Sequence, residues 1–200
     1  MRTIATLMLI LMASSTLADP HACDAFYKPL PTKDLDQVFG EWRLIWGAGE
    51  VLPISDVKTS AVALHLDGDI IRLLERNLYN DNSCITYSLN VRKPASGGSG
   101  DESLVLQAVV DRVVHNGTLV PLDATFTLHF YERSPNAMLM YVEAGNLGRF
   151  LLSYARQGHA AEDAEKEKLN KMVECLAFRD WRLFVDDGVT GFCHTEAPAA

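Results

Sequence analysis

Gly40-Glu41-Trp42 near the start of the chain and Tyr154-Ala155-Arg156 near its end decide the fold. The first opens an apolar, strand-like run on a Trp. The second closes another such run on an Arg, whose guanidinium can lie flat over an indole face as a cation–π contact. Between them, strand-like runs recur over 41–47, 58–66, 69–79, 84–92, 103–114, 119–131, 137–143 and 148–156, with turn residues in the gaps. Eight consecutive runs on short connections predict an all-β fold, an eight-stranded antiparallel up-and-down barrel. A barrel of that size holds one small ligand.

One segment breaks the β pattern. Over 160–177, Leu169, Met172, Val173 and Leu176 recur at helical spacing and form one apolar stripe. Glu162, Asp163 and Glu165 fall early and Lys168 and Lys171 later, the sense a helix dipole favours. This predicts a single C-terminal α-helix packed on the outside of the barrel. A short last strand follows over 181–185, and Ala197 to Ala200 read as a frayed tail. Ser96-Gly97-Gly98-Ser99-Gly100 reads as a hairpin tip; no helix pattern follows it, so it is not a phosphate loop.

Residues 1–18 read as a cleaved leader, with Arg2 as a basic start, an apolar run from Ile4 to Met12 and small residues at Thr16-Leu17-Ala18. The run is about half what a bilayer span needs, and an integral membrane protein is not expected. Residues 19–200 then form one domain. Loss of Arg2 takes the formal net charge from −8 to −9, an acidic excess that argues against nucleic acid as partner.

An exported chain with four cysteines, Cys23, Cys84, Cys175 and Cys193, favours two disulfides, and spacing leaves all three pairings open. Asn116-Gly117-Thr118 is a glycosylation sequon, and Asn116-Gly117 is equally a tight hairpin turn. A secreted glycoprotein in plasma or another body fluid fits these features. No Cys lies on the run 58–66 to serve as a thiol inside the barrel, and no Gly-x-Ser-x-Gly is present. The six histidines lack metal-ligand spacing; His65 and His129, the candidates for a haem ligand, read better as strand-end or outward residues. No catalytic residue, metal or cofactor is expected.

The stretch Cys84-Ile85-Thr86-Tyr87-Ser88-Leu89-Asn90-Val91, and Glu174-Cys175-Leu176 with Cys193 eighteen positions on, resemble the lipocalin family, nearest its orosomucoid branch. That branch includes fish proteins that take up saxitoxin and tetrodotoxin. Gly148-Arg149-Phe150-Leu151-Leu152-Ser153-Tyr154 is similar to apolipoprotein M of the same family. The family's Thr-Asp-Tyr motif is replaced by Arg133-Ser134-Pro135-Asn136.

The resemblance implies that Gly40, Trp42 and Arg156 close the barrel floor, and that Cys23 pairs with Cys175 and Cys84 with Cys193. It implies transport of a small lipophilic or amphiphilic molecule in the calyx, with lipoprotein particles or a cell-surface receptor as conceivable partners. Alternation from Trp42 turns Leu44 and Trp46 inward. By the resemblance, Leu74, Arg76 and Leu78, then Tyr87, Leu89 and Val91, then Tyr141, Leu152 and Tyr154 join the lining. Arg76, Tyr87 and Tyr154 are the expected polar anchors. Two alternatives stand beside this: a binder of guanidinium toxins, which requires Glu75 or Glu143 to face the cavity, and an immunomodulatory surface-interaction glycoprotein.

Overall fold

Period-two alternation of apolar residues can only be satisfied by a surface with one buried face, and closing the sheet on itself removes its edges. The computed structural model describes residues 23–50, 54–94, 100–156 and 162–193 and shows that solution. The expected leader, the hairpin tip over 96–99 and the tail over 197–200 lie outside these residues. Among the described residues ten strands form: β1 (Gly40–Gly49), β2 (Val57–Asp67), β3 (Ile70–Tyr79), β4 (Cys84–Arg92), β5 (Val105–His115), β6 (Thr118–Val120), β7 (Thr125–Ser134), β8 (Ala137–Glu143), β9 (Arg149–Ala155) and β10 (Arg182–Val185). Neighbours run antiparallel in the order β1-β2-β3-β4-β5-β7-β8-β9, and β9 pairs back with β1 to close an eight-stranded barrel. β10 adds to the upper half of β1, beyond the Gly40–Arg43 stretch that pairs with β2.

The run expected as one strand over 119–131 is two. β6 pairs only with the tip of β5 across the Asn116-Gly117 turn, and the chain then leaves the ladder before β7 begins. Pro121 supplies the physical reason, since it has no N–H to donate to the ladder. Asn116 and Gly117 both carry positive φ, 48° and 80°, as a two-residue hairpin turn demands.

Two apolar clusters share the wall. The inner one lines the barrel and packs its closed end, and includes Trp42, Leu44, Leu73, Leu89, Phe130 and Tyr154. The outer one lies between the wall and helix α1 (Asp163–Cys175), where the predicted stripe of Leu169, Met172, Val173 and Leu176 is fully buried against Trp46, Leu139, Tyr141 and Leu151. The Cys23–Cys175 disulfide, with Cα atoms 5.9 Å apart, ties the N-terminal segment to the helix end. Cys84–Cys193, at 5.8 Å, ties the C-terminal segment to the start of β4.

The floor closes around Trp42. Its indole is buried and Nε1–H donates to the Val38 carbonyl at 2.8 Å. The Arg156 guanidinium stacks on the ring with Cζ 4.0 Å from its centre, and its Nη2 donates to the Phe39 carbonyl at 3.1 Å. Gly40 explains itself here. It holds φ +110°, and a Cβ at that position would stand 2.7 Å from the Arg156 Nη1.

Candidate functional site

Above that floor the barrel opens into a cavity of about 480 Å³. Its walls are the inward side chains of the strands at the end opposite Trp42, with Ile54, Leu122 and Leu147 at the rim. Most of the wall is aliphatic or aromatic: Leu44, Leu73, Leu89, Phe126, Met140 and Phe150 among others. The polar exceptions concentrate on β3 and its neighbours. Glu75, Asn77 and Tyr79 face the cavity from β3, Ser60 from β2 and Tyr87 from β4. Pockets built this way, apolar with a few placed polar groups, are the usual form of a small-molecule site.

Glu75 sets the electrostatics. The Asn77 Nδ2–H donates to its Oε1 at 2.9 Å. Burial pushes the Glu75 carboxyl up, and only the Asn77 hydrogen bond works against that rise. Tyr79 and Tyr87 share a hydrogen bond through their hydroxyls. Burial raises both phenols, and the neighbouring Glu75 raises them further. Tyr154 sits deeper, beside the floor; burial first and Glu75 second push its phenol well up. The Tyr154, Ser60 and Asn77 side-chain oxygens are buried without a hydrogen-bond partner among the described residues. A band of polar atoms with unused capacity therefore crosses a wall that is otherwise oily, and it carries one acid.

The structure brings together part of the expected lining. Leu44, Tyr87, Leu89 and Leu152 border the cavity. Val91 and Tyr154 also point inward, but into the packed core beneath it. Five residues are corrected. Trp46 lies outside the wall, in the cluster under α1, because the β1–β9 register shifts between Leu44 and Trp46. That bulge inserts Ile45 and reverses the alternation beyond it. Gly47 is consequently the residue that turns toward the cavity, its missing Cβ 2.9 Å from Ile54 and 3.2 Å from Leu152.

Leu74, Arg76 and Leu78 are on the outer face, because β3 pairs Glu75 with the inward Tyr87. Directly opposed residues share a face, so the odd-numbered residues of β3 line the barrel. The Arg76 Nη2 instead lies 4.0 Å from the exposed Glu41 carboxylate on the outside. Tyr141 is also outside, under α1, where its hydroxyl donates to Glu143 at 3.0 Å. A cation-binding calyx requires Glu75 or Glu143 to face the cavity; Glu75 does and Glu143 does not.

Asn116 sits at the open end on an exposed turn. Its Oδ1 accepts the Cys84 N–H at 2.7 Å, which holds the β5–β6 hairpin to the start of β4. No group of His, Cys, Asp and Glu among the described residues is arranged to hold a metal ion. No helix among them is long and apolar enough to cross a membrane.

No protein-family profile matches the chain. Over 199 aligned positions it is 30% identical to saxitoxin and tetrodotoxin-binding proteins 1 and 2 of Takifugu pardalis, covering 96% of this chain and 49% of each relative. The chain thus spans about half the length of the curated relatives it matches. Among solved structures, apocrustacyanin C2 superposes with a TM-score of 0.50 at 14% identity, over 84% of this chain and 86% of that one. That likeness is one of fold. The barrel with one sealed end and the outer helix are the fold that the sequence resemblance implies, and apocrustacyanin C2 shares that fold.

Proposed function

We propose that the protein is a secreted carrier that holds one small amphiphilic organic cation in its calyx. The observation that carries the reading is Glu75, an acid reached from the cavity and backed by Asn77, Tyr79 and Tyr87 in an apolar wall. Apolar walls take up the hydrocarbon part of a ligand at about 25 cal/mol per Å² removed from water. In the same low-dielectric space a carboxylate attracts a cation far more strongly than it does in water. Tyrosine ring faces favour a cation as well.

The curated relatives are named for saxitoxin and tetrodotoxin, and guanidinium toxins are one member of this ligand class. Arg76, an expected anchor whose charge would suit an acidic ligand, stands on the outer face and offers it nothing. Two disulfides support an extracellular setting. A glycan on Asn116 would stand at the open end, clear of the barrel wall.

Calorimetric titration with decyltrimethylammonium, 1-decanol and decanoate at about pH 8 tests the reading. The three share a chain and differ in charge. The expected order of affinity is cation, alcohol, carboxylate. Glu75→Gln should weaken the cation by about tenfold, or about 1.4 kcal/mol, and leave the alcohol unchanged. Decanoate binding as tightly as the cation, or a cation affinity untouched by Glu75→Gln, overturns it.

A further inference from the structure

We propose that the calyx trades a proton for its cargo: Glu75 is protonated while the cavity is empty, releases that proton when an organic cation binds, and takes it back on acidification, unloading the ligand. The proposal rests on the cation reading of the calyx and adds its regulation.

The geometry comes first. A carboxylate enclosed by protein needs a counter-charge or several donors, and without them it is held neutral. On its own strand Glu75 has one donor, the Asn77 amide, and the phenol of Tyr79, which stands near Asp56 at the mouth. β2 turns Ser60 and Val62 toward it, and β4 turns Tyr87. β9 contributes the Tyr154 phenol from below. β5 places His115 at the open end, where its charge acts on Asp81. No Lys or Arg lines the cavity among the described residues, and the guanidinium next along the chain, Arg76, is on the outer face.

The balance at Glu75 agrees with this arrangement. Burial raises its carboxyl, and no cation appears among the influences that lower it. The phenols cannot serve as the missing cation, since a tyrosine hydroxyl is neutral or anionic, and burial holds each of them neutral. The exchange is charge-neutral for the cavity. A neutral acid and an empty space become a carboxylate and a bound cation, and the O–H proton passes to solvent.

Linkage then fixes the signature. For a ligand whose charge is permanent, affinity rises by about tenfold per pH unit below the carboxyl's folded value and is flat above it. A neutral ligand shows no such slope.

Calorimetry in paired buffers of different ionisation enthalpy, between about pH 4.5 and about pH 8, measures affinity and proton release together. With decyltrimethylammonium the wild-type protein should show the slope and release a proton along it, whereas 1-decanol should show neither. Glu75→Gln should abolish both, and His115→Gln should preserve both. A cation preference over 1-decanol that persists at every pH with no proton release overturns the exchange and leaves the cation reading standing. Loss of the release in His115→Gln overturns it as well, by moving the proton to the mouth. Absence of any cation preference removes both readings. The wild-type comparison of the two ligands tests the slope even if a variant fails to fold.

Discussion

Truncating Trp42 to Ala should be among the most damaging single changes to this barrel, and its cost can be built from the parts. The indole is 3% exposed. An aromatic of this size buries about 150–250 Å², which at about 25 cal/mol per Å² is roughly 4–6 kcal/mol against full exposure. Partial collapse of the floor returns some of this, while the lost Nε1–H bond to Val38 adds about 1 kcal/mol. The net falls near the upper end of the 3–5 kcal/mol that such truncations cost. Arg156→Ala should cost about 2 kcal/mol, since it loses the face contact and a charged hydrogen bond to Phe39.

Urea unfolding of the two single variants and the double, followed by far-ultraviolet circular dichroism, isolates the contact between them. The hydrogen bond from Arg156 to Phe39 survives in Trp42→Ala, so the coupling reports the stacking alone, about 0.5–1 kcal/mol. Additive single effects would refute the cation–π closure. A Trp42→Ala protein of unchanged stability that has lost its ligand would place Trp42 in the binding site instead.

Two further outcomes follow from the same structure. With the calyx empty, folding raises the Glu75 carboxyl above the ordinary 4.5, so the folded state holds a proton that the unfolded chain gives up; stability falls as pH climbs from that ordinary value to the folded one. Glu75→Gln should therefore raise the melting temperature near pH 8 and leave it unchanged near pH 3; a lower melting temperature at pH 8 refutes the buried neutral acid. Replacing Cys84 and Cys193 together by Ser should cost about 2–5 kcal/mol, because it frees a loop with a sequence separation of 109. Since that bridge stands at the open end, ligand affinity should suffer more from its loss than from loss of Cys23–Cys175, which denaturant titration and calorimetry of both pairs would compare.

The fold was legible because its signals are long-range and redundant: eight alternating runs, one helical stripe and a Trp–Arg pair at opposite ends of the chain. The disulfides followed from the resemblance and are the pairs observed. The lining was harder, since a one-residue error of phase turns every side chain to the other face. On β3 both phases carry leucines, and hydrophobicity alone cannot choose between Leu74 and Leu73.

The turn could have chosen. Asn82 holds a positive φ of 64°, and the Tyr79 N–H donates to the Ser83 carbonyl at 2.9 Å, so four residues, Asn80 to Ser83, join β3 to β4 and set Leu78 opposite Cys84. Counting back from the inward Tyr87 across a loop of that length lands on Glu75. The charges pointed the same way, for Arg72 and Arg76 share the outward phase. Trp46 offered no such handle. Its displacement follows from a bulge at Ile45, which is set by the register of β1 against β9, more than a hundred residues away in sequence.

The sealed floor also governs traffic. With Trp42 and Arg156 across one end, the described residues leave the calyx open at the other, and a ligand held as proposed must leave the way it came. A resident molecule blocks its own replacement, so a second molecule cannot push the first through from behind, however abundant it is. Turnover of the proposed cargo would then be timed by departure, and a competitor added in excess would set how much is finally exchanged without hastening the moment at which exchange begins. A carrier of the proposed kind would be a timer as much as a container.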